Sequence, residues 1–270
     1  KLAVNFHHTD LCNMRCEFCF RNEKFQTKLT TSDKLHLIYL LSKKFQKITF
    51  VGGEPLLDYD LKEMIIESKK LGMTTMLVTN GSLLKNSFLD DMIGHLDWIG
   101  LSVDALDSEI NKKEGRFNQQ IIPDLNFYLK LIKNIKERGY KLKINTVVHQ
   151  HNKNCDFSSF LKEADPNRWK VFQVLRVEGI NQQTISEYLV SKQDFADFIS
   201  KHQQFKPIYE KDDDMLDSYF MVNAEGRFFS NSNNQHTTSS EILRNGVDAA
   251  LQELKVDISK FNQRGGIYNW

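Results

Sequence analysis

Cys12, Cys16 and Cys19 stand in a C-x3-C-x2-C pattern just after a short apolar segment, and a fourth cysteine, Cys155, stands far away. Iron–sulfur clusters are held by thiolates, and a four-iron cluster ordinarily takes four. Three local thiolates leave one iron without a protein donor, and that iron can chelate a small molecule through an amine and a carboxylate. A structural zinc ion instead wants four closed ligands, often from two paired knuckles. Here the fourth would have to be His7, His8 or distant Cys155, and the spacing is not that of a knuckle pair. Three buried core cysteines fit poorly beside Asn13, Arg15 and Glu17. The clustering also argues against a disulfide framework and for a reducing, cytoplasmic setting.

Further polar groups fall at or near expected strand ends, where parallel α/β folds bind ligands. In Gly52-Gly53-Glu54-Pro55 the glycines let backbone approach a ligand amine, and Glu54 is placed to accept from it. Asn80-Gly81-Ser82 ends the next strand and also reads as a plain turn. Ser102 lies two residues before Asp104, and Asn145 sits inside an apolar strand. A buried Asn needs partners, which a ligand or a neighbouring protein group supplies. Arg168 and Lys170, two apart on a strand, share a face and form a ready phosphate clamp; the competing reading is a solvated edge. His149 and His151 have no third ligand nearby and read as hydrogen-bonded or exposed. Asp212-Asp213-Asp214 reads as a solvated loop, with Mg²⁺ at a bound triphosphate as the lesser reading.

These residues are positioned by alternating elements. Strands are expected over residues 2–6, 47–51, 74–79, 98–103, 141–148 and 169–174. Helices are expected over 30–44, capped by Thr31 or Ser32, and over 61–71 and 83–93. A further apolar stripe runs through Ile121, Leu125, Leu129, Ile132 and Ile135. Strand–helix alternation predicts a parallel sheet with helices outside, and about six units predict a partial (β/α)6 barrel. Beyond residue 185 the rhythm changes: a helix over 191–202, then a hairpin of 219–222 and 227–230 around Glu225-Gly226. The expected class is therefore α/β, with a barrel core over residues 1–185 and a C-terminal α+β extension over 186–270 covering the active site.

The 36 basic and 35 acidic side chains nearly cancel, which excludes a bulk-charge attraction to a nucleic acid polymer or an anionic membrane. No run reaches the ~18 apolar residues of a membrane span. The chain begins at Lys1, close to its first motif, and an upstream segment is an expectation on that ground.

The cysteine pattern, with aromatic Phe18 before the last cysteine, resembles the signature of the radical S-adenosylmethionine superfamily, and Gly52-Gly53-Glu54-Pro55 resembles its GGEP-type motif. Asn5 with Phe6-His7-His8-Thr9, Phe20, and Lys47-Ile48-Thr49-Phe50 are similar to the viperin family. So are Arg168-Trp169-Lys170-Val171-Phe172-Gln173, Glu178-Gly179, Asp217-Ser218-Tyr219 and Arg264-Gly265-Gly266-Ile267-Tyr268, in the same order over nearly the whole chain.

The resemblance implies a 4Fe-4S cluster on Cys12, Cys16 and Cys19 and S-adenosylmethionine beside Phe18, Gly53, Glu54, Asn80, Ser102, Arg116 and Asn145. It implies a nucleoside triphosphate (CTP, UTP or GTP) held by Asn5, Lys47, Arg116, Arg168 and Lys170. That substrate would become its 3′-deoxy-3′,4′-didehydro analogue, an antiviral chain terminator, with Tyr219 returning a hydrogen atom. It also implies a monomer and an electron donor such as flavodoxin or ferredoxin. The loop Ser230-Asn231-Ser232-Asn233-Asn234 departs from the family, which carries a Cys and glycines there, and so leaves the base open. The amphipathic membrane-binding segment of animal members is missing from this sequence, which points to a soluble, prokaryotic-type enzyme or a truncation. Two alternatives stand beside this: another radical S-adenosylmethionine enzyme acting on a nucleotide or peptide, and a zinc-stabilised interaction protein.

Overall fold

The computed structural model describes residues 2–21, 29–263 and 265. Six parallel strands follow one another: β1 (Ala3–Thr9), β2 (Lys47–Gly52), β3 (Thr74–Thr79), β4 (Trp98–Ser102), β5 (Lys141–Val148) and β6 (Arg168–Gln173). Helices return the chain between them: α1 (Thr31–Ser42), α2 (Leu61–Lys70), α3 (Asn86–Asp91), the pair α4 (Ser108–Lys113) and α5 (Leu125–Glu137), then α6 (Ser158–Ala164). This is the partial barrel expected from the alternation.

The C-terminal part extends the same sheet at both edges. After α7 (Lys192–Lys201), β7 (Ile208–Glu210) adds parallel to β6. The chain then crosses to the opposite edge, where β8 (Met221–Val222) runs parallel to β1 and the antiparallel β9 (Arg227–Ser232) and β10 (Gln235–Glu241) follow. The order is β10-β9-β8-β1-β2-β3-β4-β5-β6-β7. The expected hairpin is therefore real, and its first strand pairs with β1.

Several local expectations shift. The cap of α1 is Thr30, not Thr31 or Ser32: its hydroxyl accepts from Asp33 N–H while the Asp33 carboxylate reaches back to Thr30, a capping box. The stripe from Ile121 starts too early, because Asp124 caps α5 and the buried face is Tyr128, Leu131, Ile132 and Ile135. The third helix is half the expected length. Among the described residues no helix is long and apolar enough to cross a membrane.

Alternation along the strands separates two environments. Val4, Phe6, Ile48, Phe50, Leu142, Ile144, Trp169 and Val171 are buried in the hydrophobic core. Their neighbours Asn5, Lys47, Thr49, Lys143, Asn145 and Lys170 face the barrel interior. A parallel strand covered on both faces ordinarily reads as continuously apolar. Here the inner face is polar, and it surrounds a cavity.

Candidate active site

The cavity, of about 370 Å³, runs from the loop after β1 to the N-terminal part of the barrel. At its mouth Cys12, Cys16 and Cys19 all reach the wall. Two other turns hold their loop. A Cβ at Gly53 would lie 2.0 Å from the Leu11 carbonyl oxygen, and Glu54 N–H donates to that oxygen at 2.7 Å. On the other side Gly115 packs on Arg15, whose N–H donates to the Gly115 carbonyl at 3.1 Å, while Glu17 N–H donates to that of Glu114 at 3.0 Å. The glycine at 53 thus serves close contact with the cysteine loop while lying on the cavity wall.

Glu54 also corrects its expected role. It is fully buried and not on the cavity wall. Thr79 hydroxyl and Leu56 N–H donate to its Oε1 at 2.7 and 3.2 Å, and Asn80 N–H to its Oε2 at 2.9 Å. A carboxylate so engaged locks the GGEP turn to the end of β3. Asn80 in turn donates to Asn13 in the cysteine loop at 3.0 Å and accepts from Ser82 at 2.6 Å.

Phe18 is buried, with its ring 4.8 Å from that of His149 and 5.7 Å from that of Tyr188. His149 is therefore not an exposed histidine: it is fully buried behind Phe18 with Nε2 2.7 Å from Glu114 Oε2. Burial lowers its pKa to about 4 and raises that of Glu114 to about 7. Ser102 and Asn145 pair across the β4–β5 ladder on the wall, and Asn145 Oδ1 is buried without a hydrogen-bond partner.

Arg116 separates from the other cations. It is ion-paired with Asp104, has Nε 3.4 Å from Glu114, and lies beside Cys16. The expectation that it joins a phosphate clamp is corrected: it stands at the thiol end. The clamp lies deeper and gains a member that was missed. Lys47, Lys143, Arg168 and Lys170 converge, with Lys143 opposite Arg168 and Asn145 opposite Lys170 in the β5–β6 ladder. Lys143 lies two residues before Asn145, so the alternation that paired Arg168 with Lys170 also signals it. Burial, then repulsion from Arg168 and Lys170, brings Lys47 down to about 6; burial and neighbouring cations also depress Lys143.

Tyr219 and Asn5 face the same cavity, Tyr219 beside Lys170. Asn231, in the loop that departs from the family, and His236, which no sequence pattern marked, complete the wall on the β9–β10 side. Asn231 is buried with both amide atoms unpartnered, and His236 has both ring nitrogens unpartnered. Asp212-Asp213-Asp214 forms a turn outside the cavity lining, with Asp213 3.4 Å from Lys192. The motif at 264–268 lies outside the described residues except for Gly265, whose carbonyl accepts from Arg168 at 2.8 Å.

The donor set fits a cluster, with three thiols at one mouth of the cavity. His8, a candidate fourth zinc ligand, is buried on the other face of β1 with Nδ1 2.7 Å from Asp58. A four-iron cluster spreads its thiolates over separate irons. Burial raises the Cys12 and Cys16 thiols, and bound iron favours their deprotonation.

A partial barrel with three thiols in the loop after its first strand is the arrangement of the radical S-adenosylmethionine class, and the family described as "Radical SAM superfamily" matches residues 6–164. An S-adenosylmethionine-dependent nucleotide dehydratase of Flammeovirga pacifica is 46% identical, covering 99% of this chain and 96% of that protein. The S-adenosylmethionine-dependent nucleotide dehydratase RSAD2 of Danio rerio is 31% identical over 99% of this chain and 78% of its own length. Streptococcus suis SuiB bound to S-adenosylmethionine shares the fold with a TM-score of 0.66 at 17% identity, over 84% of this chain and 59% of that one. The chain belongs to the Radical SAM superfamily and, within it, to the family of these nucleotide dehydratases.

Proposed function

We propose that this protein dehydrates a nucleoside triphosphate, CTP, UTP or GTP, to its 3′-deoxy-3′,4′-didehydro analogue, an antiviral chain terminator. The observation that carries the proposal is the pairing of three thiols at the cavity mouth with four cations on its deep wall, Lys47 and Lys170 buried and Lys143 and Arg168 half-buried. Burial and then repulsion from neighbouring cations, Arg168 and Lys170 among them, depress Lys47 and Lys143, and the ion pair described for Glu210 is with Lys170; a triphosphate supplies several negative charges to the group at once. Family membership supports the dehydration, since the relatives' names carry that reaction.

In this reading Cys12, Cys16 and Cys19 hold the 4Fe-4S cluster. Phe18, Gly53, Asn80, Ser102, Asn145 and Arg116 surround S-adenosylmethionine, with Glu54 ordering the turn. Arg116, oriented by Asp104, faces the ligand carboxylate. When bound, the cluster and S-adenosylmethionine supply a 5′-deoxyadenosyl radical that takes hydrogen from C4′ of the sugar. Lys47, Lys143, Arg168 and Lys170 grip the triphosphate, Asn5 contacts the nucleotide, and Tyr219 acts after the 3′-hydroxyl has left as water. Asn231 and His236 face the base, where an unpartnered amide and imidazole offer both donors and acceptors. Residues 186–270 form the extension that carries Tyr219 and this wall. Reduction comes from a flavodoxin- or ferredoxin-type donor in the cytoplasm, where thiols stay reduced.

The test is anaerobic reconstitution with S-adenosylmethionine, reductant and each common nucleoside triphosphate in turn. We expect 5′-deoxyadenosine to rise strongly with one nucleotide, alongside a product lighter by one water. A low rate indifferent to every nucleotide would overturn the substrate assignment.

A further inference from the structure

Lys170 and Tyr219 share a partner that no sequence motif marks. Glu210 ends β7, stands opposite Phe172 in the β6–β7 ladder and is fully buried behind the cavity wall. One carboxylate oxygen pairs with Lys170 Nζ, and the other accepts a hydrogen bond from the Tyr219 hydroxyl. Lys170 Nζ lies 3.2 Å from the Tyr219 oxygen and 5.3 Å from its ring centroid. Lys170 and Tyr219 meet the cavity, and Glu210 does not. Burying a carboxylate costs several kcal/mol unless it is paired. Of the two contacts described for this carboxylate, the second is to a phenol that faces the substrate cavity.

A phenol is a poor one-electron donor while it keeps its proton. It becomes a good one when a base takes the proton as the electron leaves. We propose that Glu210 is that base: it positions Tyr219 and accepts its proton, so that Tyr219 delivers one electron to the substrate. This rests on the functional reading above. Once C4′ has lost a hydrogen atom and the 3′-hydroxyl has left as water with a proton from solvent, the sugar is a radical cation. One electron from Tyr219 closes the C3′–C4′ double bond. The phenolic proton moves to the Glu210 carboxylate, leaving a neutral tyrosyl radical. An electron from the reduced donor protein and return of that proton from Glu210 restore the resting pair. Lys170 keeps the carboxylate ionised and ready beforehand.

The test uses the full, reconstituted protein carrying Glu210→Gln, which keeps the shape and an acceptor oxygen but not the basicity. The readout is dehydrated nucleotide formed per 5′-deoxyadenosine, with nucleotide affinity measured separately on the cluster-free protein. We expect the ratio to fall by at least about tenfold, in the range of a lost general base. Nucleotide affinity should stay within about threefold, since the phosphate-binding cations remain. Adding Tyr219→Phe should lower the ratio no further, because the two act as one unit. An unchanged ratio overturns the proposal. So does a drop explained by lost nucleotide binding, which would make Glu210 a holder of Lys170 only. Should Glu210→Gln fail to fold, Glu210→Asp draws the carboxylate back by one methylene, and an unaltered ratio there overturns the proposal equally. If the unsubstituted enzyme yields no dehydrated nucleotide, the functional reading falls first and this proposal with it.

Discussion

Gly115 and Arg15 are in backbone contact: a Cβ on Gly115 would lie 2.0 Å from the Arg15 carbonyl oxygen, and Gly115 has φ +77°. The α4–α5 connection is thereby pressed onto the loop that carries the thiols. Gly115→Ala has no room and an unfavourable backbone, so the loop must move. We expect the purified variant to keep its fold by circular dichroism but to retain less than half the iron and sulfide. Full cluster content would show that the contact is dispensable.

Cys16 lies in the middle of that loop, half-buried beside Arg116. Cys16→Ala should abolish both the cluster absorbance and 5′-deoxyadenosine formation. A brown, active variant would falsify the ligand assignment.

Lys143→Ala and Lys170→Ala each remove one cation from the deep cluster. Charge-assisted contacts contribute about 1.5–3 kcal/mol, so nucleotide affinity should fall roughly 10- to 150-fold. Calorimetry on the cluster-free protein measures this without catalysis, and unchanged affinity would place the triphosphate elsewhere.

Lys47 gives the cation site a pH signature. Its pKa in the empty site is about 6, depressed by burial and by Arg168 and Lys170, and a bound triphosphate raises it. Below pH 6 both states hold the proton. Above it only the complex does, so binding takes up a proton and weakens as pH rises from 6 towards the pKa of the complex. Titrations in buffers of different ionisation enthalpy should report this uptake at pH 7.5. In the empty protein the same depressed pKa means that the unfolded chain binds more protons. Lys47 therefore makes stability rise with pH across this window, and Lys47→Met should raise the melting midpoint at pH 7 while weakening nucleotide binding.

Tyr219→Phe removes the hydroxyl that meets Lys170 and Glu210. S-adenosylmethionine cleavage should continue in the presence of nucleotide while the dehydrated product drops at least about tenfold. Normal product yield would remove Tyr219 from the chemistry.

The chemistry was legible in the sequence wherever it is local. The thiol spacing, the Gly52-Gly53-Glu54-Pro55 turn and the cation alternation of Arg168 and Lys170 are short-range patterns, and strand–helix alternation fixes a parallel sheet because each βαβ unit must return the chain. Tertiary structure decided which of these meet. The β-strand register brings Lys143 to Arg168 and Asn145 to Lys170. Packing of Gly115 against Arg15 draws Arg116 to the thiols and away from the other cations. Glu54 becomes a brace because burial and three donors consume its carboxylate. Glu210 and His236 carried no signal, and Asn231 only that of a loop departing from the family. Their positions depend on which sheet edge each late strand joins, a choice made by long-range pairing and not by any residue's neighbours in the chain.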